Sequence, residues 1–240
     1  MAEIDWAVLT GSALDTSVVP RGVTAAFTPP AGPGTFVCGF RSTYNTAGFA
    51  GYSLDLTDFN PISSSRKGGS IRAAVKRYAG TAAQFAPIMG FMQGTDPGSA
   101  QGYMIGLTQA TAYQIALKKG SPAGGLEASS SQILRTSTDS WTTAGDSASG
   151  WFHLRLDVLV NPHGEVMLNC YQNDLTAHDV DAPTWAAIDG MDQYIDDSIG
   201  ALSGTVPFLD TFHPFFGQYS EVVGATTLWD YVEVYRQTSP

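Results

Sequence analysis

Residues 150–175 read GWFHLRLDVLVNPHGEVMLNCYQNDL. Phe152, Leu154, Leu156, Val158 and Val160 alternate with Trp151, His153, Arg155, Asp157 and Leu159. After a break, Val166, Leu168 and Cys170 alternate with Glu165, Met167, Asn169 and Tyr171. The break is Asn161-Pro162-His163-Gly164, with Pro where φ near −65° is wanted and Gly where positive φ is cheap. A period of two on both sides of a tight turn predicts a β-hairpin with one buried face and one wet face. His153, Arg155, Asp157 and Glu165 fall on the wet face. The hairpin sets the fold class as antiparallel β.

Working outward, short strands recur between breakers. Phe36–Phe40, Gly51–Leu56, Ser70–Tyr78, Phe85–Met92, Tyr103–Leu107, Tyr113–Leu117 and Ile133–Leu134 precede the hairpin. Gly/Pro clusters at Thr28–Gly34, Thr95–Gly98 and Gly120–Gly125 separate them. Thr227–Arg236 is the closing strand, with Leu228, Asp230, Val232 and Val234 on one side and Trp229, Tyr231, Glu233 and Tyr235 on the other. Strands at this spacing predict a sandwich or barrel. A short helix or an ordered loop covering one sheet is expected over Pro183–Ile195, the one helical candidate, because Trp185, Ile188, Met191 and Ile195 fall at three- and four-residue steps while Gly190 interrupts them. Residues 1–35 read as an N-terminal arm with a first strand around Ile4–Leu9, carrying Trp6. Residues 36–240 read as the sandwich, the whole being one domain.

Composition narrows function. Of 240 residues, 43% are hydrophobic, enough for a substantial core, and only 14% are charged. The net charge of −10 repels phosphate backbones and argues against nucleic acid as a partner. Arg66, Lys67, Arg72, Lys76 and Arg77 are the densest basic group and read as a solvated face. Cys38 and Cys170 lie in apolar strand patterns and read as buried, reduced thiols. No apolar run approaches the ~20 residues of a membrane span. The start, MAEIDWAVLTGS, lacks the basic and apolar regions of a signal peptide, so synthesis in a cytoplasm is expected.

The hairpin taken with the last strand, LWDYVEVYRQ (228–237), resembles the concanavalin A-like (laminin G-like) jelly rolls. In these a tryptophan leads into an alternating strand, a turn, and a second strand ending near an Asn/Asp pair. The final strand follows the form apolar-Asp-x-apolar-x-apolar-Tyr. The middle of the chain, GGSIRAAVKRY (68–78) through GYMIGLTQATAYQIALKKG (102–120), is similar to the versions found in bacteriophage virion proteins. The resemblance covers roughly Phe36 to Arg236. It implies an all-β, concanavalin A-like antiparallel sandwich with at most one or two short helices.

Three functions follow as expectations. The first is a non-enzymatic structural component of a bacteriophage virion, capsid decoration or tail-associated. Its partners would be other virion proteins and copies of itself, and its place the virion. Sparse charge, scattered aromatics and the apolar arm favour it. The second is a carbohydrate-binding module for host-surface glycans, with Tyr171, Asn173 and Trp185 as the contact residues. Lectin-like jelly rolls hold Ca²⁺ through Asp, Asn and backbone oxygens in rim loops. Here Asn173, Asp174, Asp179 and Asp181 are the candidate ligands, and calcium is the one candidate cofactor. Asp192, Asp196 and Asp197 form a second acidic cluster. The third is a glycoside hydrolase, which needs two facing carboxylates. Glu3-Ile4-Asp5 begins the required alternation but Val8 and Leu9 end it; Asp157 and Glu165 read as isolated, and Glu221 and Glu233 as far apart. His153, His163, His178 and His213 share no metal spacing, and no G-x-S-x-G elbow is present. No enzyme activity is expected.

Overall fold

A computed structural model describes residues 6–8, 40–43, 48–54, 62–63, 66–79, 85–94, 100–109, 114–124, 126, 133–138, 151–161, 163–175, 177–178, 180, 182–196, 207, 213–221 and 225–236. Cys38, Asp179, Asp181, Asp197 and most of the arm lie outside them. The strands are β1 (Trp6–Val8), β2 (Phe40–Thr43), β3 (Gly48–Leu54), β4 (Ile62–Ser63), β5 (Arg66–Ala79), β6 (Phe85–Gln93), β7 (Gln101–Leu107) and β8 (Ile115–Gly120). They continue as β9 (Ile133–Thr136), β10 (Phe152–Val160), β11 (Val166–Asn173), β12 (Trp185–Ala187), β13 (Tyr194–Asp196), β14 (His213–Ser220) and β15 (Thr226–Arg236). Two antiparallel sheets result. One has seven strands in the order β1-β3-β14-β6-β7-β8-β9. The other has eight, in the order β12-β11-β10-β5-β15-β2, with β13 also on β11 and β4 on β5. Among the described residues no helix is long and apolar enough to cross a membrane.

The hairpin forms as its alternation predicts. Val160 pairs with Val166 and His153 with Asn173. Asn161 organises the turn: its Oδ1 accepts from the backbone N–H groups of His163 (2.9 Å) and Glu165 (3.0 Å). Gly164 takes φ 83°, a conformation glycine adopts without a Cβ penalty.

The core lies between the sheets. Ile71, Val75, Leu154, Leu156, Val158 and Leu168 of the eight-stranded sheet meet Met89, Phe91, Ile105, Leu117 and Phe216 of the other. Each contributes about 1.5–3 kcal/mol by leaving water. The seven-stranded sheet is also buried on its second face, through Phe49, Ile88, Met92, Met104, Leu126 and Phe215. Gly90 and Gly102 let neighbouring backbones approach there. A Cβ on Gly90 would lie 2.1 Å from the Tyr103 carbonyl oxygen, and one on Gly102 2.0 Å from that of Phe91. At one edge of the core Lys119 Nζ contacts Asp196 Oδ2 at 2.6 Å, and the Tyr103 hydroxyl donates to the same oxygen at 2.5 Å.

The structure corrects four expectations. The short helix or ordered loop expected over Pro183–Ile195 is instead β12, a turn at Gly190 (φ 70°) and β13. Both strands pair with β11, and between them Ile188 N–H donates to Cys170 O and Cys170 N–H to Met191 O. A helix would have left that edge of β11 without backbone partners. Second, the wet face of the hairpin is largely covered: His153 and Asp157 are buried. Third, the alternation of the last strand changes phase at Tyr231 (φ 50°). A bulge sits between Asp230, opposite Ala74, and Glu233, opposite Arg72. Val232 and Val234 therefore pack on the inter-sheet core, while Leu228 and Tyr231 join Ala74 and Trp151 on the opposite face. Fourth, Arg77 is not solvated. It is buried, and its Nη2 donates to the carbonyls of Leu107 and Thr108.

Candidate functional site

The outer face of the eight-stranded sheet is the polar surface of the fold. Strand register arranges it in three rows. The first runs Asp230, Ala74, His153, Asn173, Trp185; the second Glu233, Arg72, Arg155, Tyr171, Ala187; the third Tyr235, Ser70, Asp157, Asn169. Residues two apart on one strand share a face, so the rows stand side by side. The bulge at Tyr231 brings Glu233 and Tyr235 into them. Without it those two side chains would point inward.

Each arginine in the middle row is fixed by a carboxylate. Arg72 donates from Nε and Nη2 to Glu233 Oε2. Arg155 makes a two-point pair with Asp157, Nε to Oδ1 and Nη2 to Oδ2, both at 2.7 Å. Ser70 Oγ donates to Asp157 Oδ1 at 2.5 Å, and the Tyr235 hydroxyl to Glu233 Oε2 at 2.5 Å. Aromatic rings flank the guanidinium groups. Arg72 lies 5.0 Å from the Tyr235 ring centre, and Arg155 lies 5.2 Å from that of Tyr171 and 6.0 Å from that of Trp185. Tyr171 and Trp185 are half-buried and Tyr235 is exposed. Among the described residues, Ser70, Arg72, Arg155 and Tyr235 line an open pocket of about 310 Å³.

Titration behaviour follows from this packing. Burial, the hydrogen bond to Glu233 and that carboxylate's charge push the Tyr235 phenol up to about 12. Burial and then Asp157 raise Tyr171. Both phenols are neutral donors at pH 7. Burial and then the Arg72 charge push His153 down to about 3. Its Nδ1 faces Asn173 Nδ2 at 3.1 Å, and its ring lies 4.6 Å from that of Trp185. Burial, reinforced by Asp157, raises the Cys170 thiol, so it is no ready nucleophile.

The residues singled out from sequence scatter into three groups. Tyr171 and Trp185 come together on the polar face. Asn173 is buried beneath them with its amide committed: Oδ1 accepts from Thr184 N–H at 3.0 Å while Nδ2 meets His153. Asp174 is exposed and lines a separate hollow at the sheet edge with Gln172, Ile188 and Asp189. Of the second acidic cluster, Asp192 is exposed and Asp196 is the buried partner of Lys119. Among the described residues no group of three or more His, Cys, Asp or Glu is placed to hold a metal ion. Sequence reasoning missed Ser70, Arg72, Glu233 and Tyr235, and took Asp157 as isolated. Strand pairing, which periodicity does not encode, assembles them.

The arrangement suits binding more than acid–base chemistry. Asp157 and Glu233 share the face, but each is tied to an arginine and a hydroxyl. Neither sits alone in an apolar pocket, the setting that makes a carboxyl a general acid.

No protein-family model matches the chain, and no curated protein sequence is similar to it. Solved structures are similar. A GH43 glycoside hydrolase, engineered to display both endo-xylanase and exo-arabinofuranosidase activity, superposes with a TM-score of 0.51 at 13% identity, over 99% of this chain and 41% of its own length. The Emp46p carbohydrate recognition domain gives 0.48 at 9% identity, over 84% of each chain. The CBM2 module of the evolved Dit of Lactobacillus casei BL23 phage J-1 gives 0.42 at 11% identity, over 88% of this chain and 82% of that one. The chain thus spans under half the length of the hydrolase. At 13% identity the likeness to the hydrolase shows the fold alone, and the two sheets are those of a concanavalin A-like antiparallel jelly roll.

Proposed function

We propose that this protein is a non-enzymatic carbohydrate-binding module that holds glycans on the outer face of its eight-stranded sheet. One observation carries the reading: half-exposed Tyr171 and Trp185 flank Arg155 beside an open pocket lined by polar side chains. Sugars present apolar C–H faces and rings of hydroxyls, and aromatic surface next to fixed donors complements both. The virion reading from sequence is compatible with it. A virion protein with such a face would take host-surface glycans as its ligand.

The test is isothermal titration of the folded protein against a panel of soluble neutral and acidic polysaccharides, with Trp185→Ala and Tyr171→Ala alongside. Each variant is expected to weaken binding by about tenfold, the scale of one lost aromatic contact. Absence of binding to any polysaccharide, or variants that bind like the parent, refutes the proposal.

A further inference from the structure

We infer that the pocket between Arg72 and Arg155 selects acidic saccharides, holding a carboxylate or sulfate group of the sugar between the two guanidinium groups. This rests on the glycan reading above and adds the ligand's chemical class.

Three observations carry it. First, Arg72 and Arg155 are directly opposite each other on β5 and β10. Like charges in that position repel; here each guanidinium is balanced by its own carboxylate, Glu233 for Arg72 and Asp157 for Arg155, which lets the two stand side by side. Second, the arginines line the pocket, while Glu233 is held at its margin by Arg72 and Tyr235 and Asp157 is nearly covered. Among the described residues its lining is Ser70, Arg72, Arg155 and Tyr235, two cations and two hydroxyls. Asp157 lies behind Arg155 with its side chain 5% exposed, against 29% for the arginine. Third, both guanidinium groups spend the same edge on their carboxylates, Nε and Nη2. Among the described residues Nη1 of each makes no hydrogen bond. An oxyanion bridging the pair meets N–H donors already oriented, the geometry that arginine offers to planar carboxylates and to sulfate-like groups. A neutral sugar would gain hydrogen bonds there but would bring no charge to complement the guanidinium groups.

The probes are polygalacturonate, dextran sulfate and unmodified dextran, titrated into the full chain at fixed pH and salt. Two variants test the arginines. Arg72→Gln with Glu233→Gln removes the cation and its exposed partner together, so no charge is stranded. Arg155→Lys keeps the charge over Asp157 and loses the fork. The expected result is binding of polygalacturonate, dextran sulfate or both in preference to dextran, reduced roughly tenfold or more in each variant at unchanged melting temperature. Response to one acidic polymer alone identifies carboxylate or sulfate as the group. Preference for dextran, with the Trp185→Ala effect intact, overturns this inference and leaves the glycan reading standing. Acidic-polymer binding that both arginine variants retain also overturns it. Failure to bind any polymer removes both.

Discussion

His153 makes the fold sensitive to acid. Asn173 Oδ1 accepts from Thr184 N–H, which orients the amide so that Nδ2 donates to His153 Nδ1. The neutral ring then carries its proton on Nε2, which is buried and has no hydrogen-bond partner among the described residues. A second proton on Nδ1 would break the Asn173 bond and place a cation beside Arg72. Burial, and then the Arg72 charge, lower the imidazole from its ordinary 6.5 to about 3 in the folded protein. Between these values the unfolded chain binds the proton and the native one does not, so stability falls as pH falls through that window. From pH 7 to pH 5 the loss attributable to this residue is about 2 kcal/mol, from about 1.4 units at 1.36 kcal/mol each. The assay is urea unfolding at pH 7 and pH 5 of the parent and of His153→Gln, which keeps an acceptor for Asn173 but does not titrate. The parent should lose about 2 kcal/mol more than the variant across that interval, other carboxylates cancelling in the difference. Equal pH dependence in the two proteins would show that His153 protonates freely in the fold, and the argument from burial would fail.

Two further predictions concern the scaffold. Lys119→Met should cost about 3–5 kcal/mol by leaving Asp196 charged between the sheets, and Lys119→Met combined with Asp196→Leu should recover most of that loss. Denaturant midpoints of the two proteins check it; equal midpoints would mean that the ion pair is not what the core edge depends on. Gly90→Ala should lower stability by about 1–3 kcal/mol because its Cβ overlaps the Tyr103 carbonyl. Gly190→Ala, with open space around it and φ 70°, should lose about 1–2 kcal/mol through backbone strain alone. Thermal melts compare them, and an unchanged Gly90→Ala protein would show that β6 and β7 stand further apart than described.

The fold was legible where one periodicity ran unopposed. The β10–β11 hairpin needed only its alternation and Asn161–Gly164. Pro183–Ile195 misled because a strand–turn–strand can also set apolar residues three or four apart; Ile188 and Met191 do face the core, but through a Gly190 turn along β11. The site was less legible still. Tyr171 and Trp185 could be named as exposed aromatics. Glu233 and Tyr235 could not be assigned their face, because the bulge at Tyr231 reverses the strand's phase, and a tyrosine in the left-handed region leaves no sequence signal. Arg72 and Arg155 are 83 positions apart, counting from the numbering, and only sheet register sets them opposite each other. Asn173 shows the reverse difficulty: a polar residue at a strand end looks available from sequence, yet both ends of its amide are already bonded.

The two sheets divide the work in a way that explains why the polar face is where it is. The seven-stranded sheet packs apolar side chains on both faces, and at Gly90 and Gly102 neighbouring backbones come too close for a Cβ. The eight-stranded sheet buries one face and keeps paired charges on the other. The Arg72–Glu233 pair is a poor candidate for a stabiliser: Glu233 is 41% exposed at its side chain, and ion pairs open to solvent contribute ~0–1 kcal/mol. Its effect is positional. A two-point carboxylate contact removes the rotamer freedom of a long arginine before any ligand arrives, and the ordering cost of binding falls by the same amount. Asp157, held by Ser70 from one side and Arg155 from the other, is the clearest case. Its side chain is 5% exposed against 29% for Arg155, and the cation it fixes is one of the residues that line the pocket.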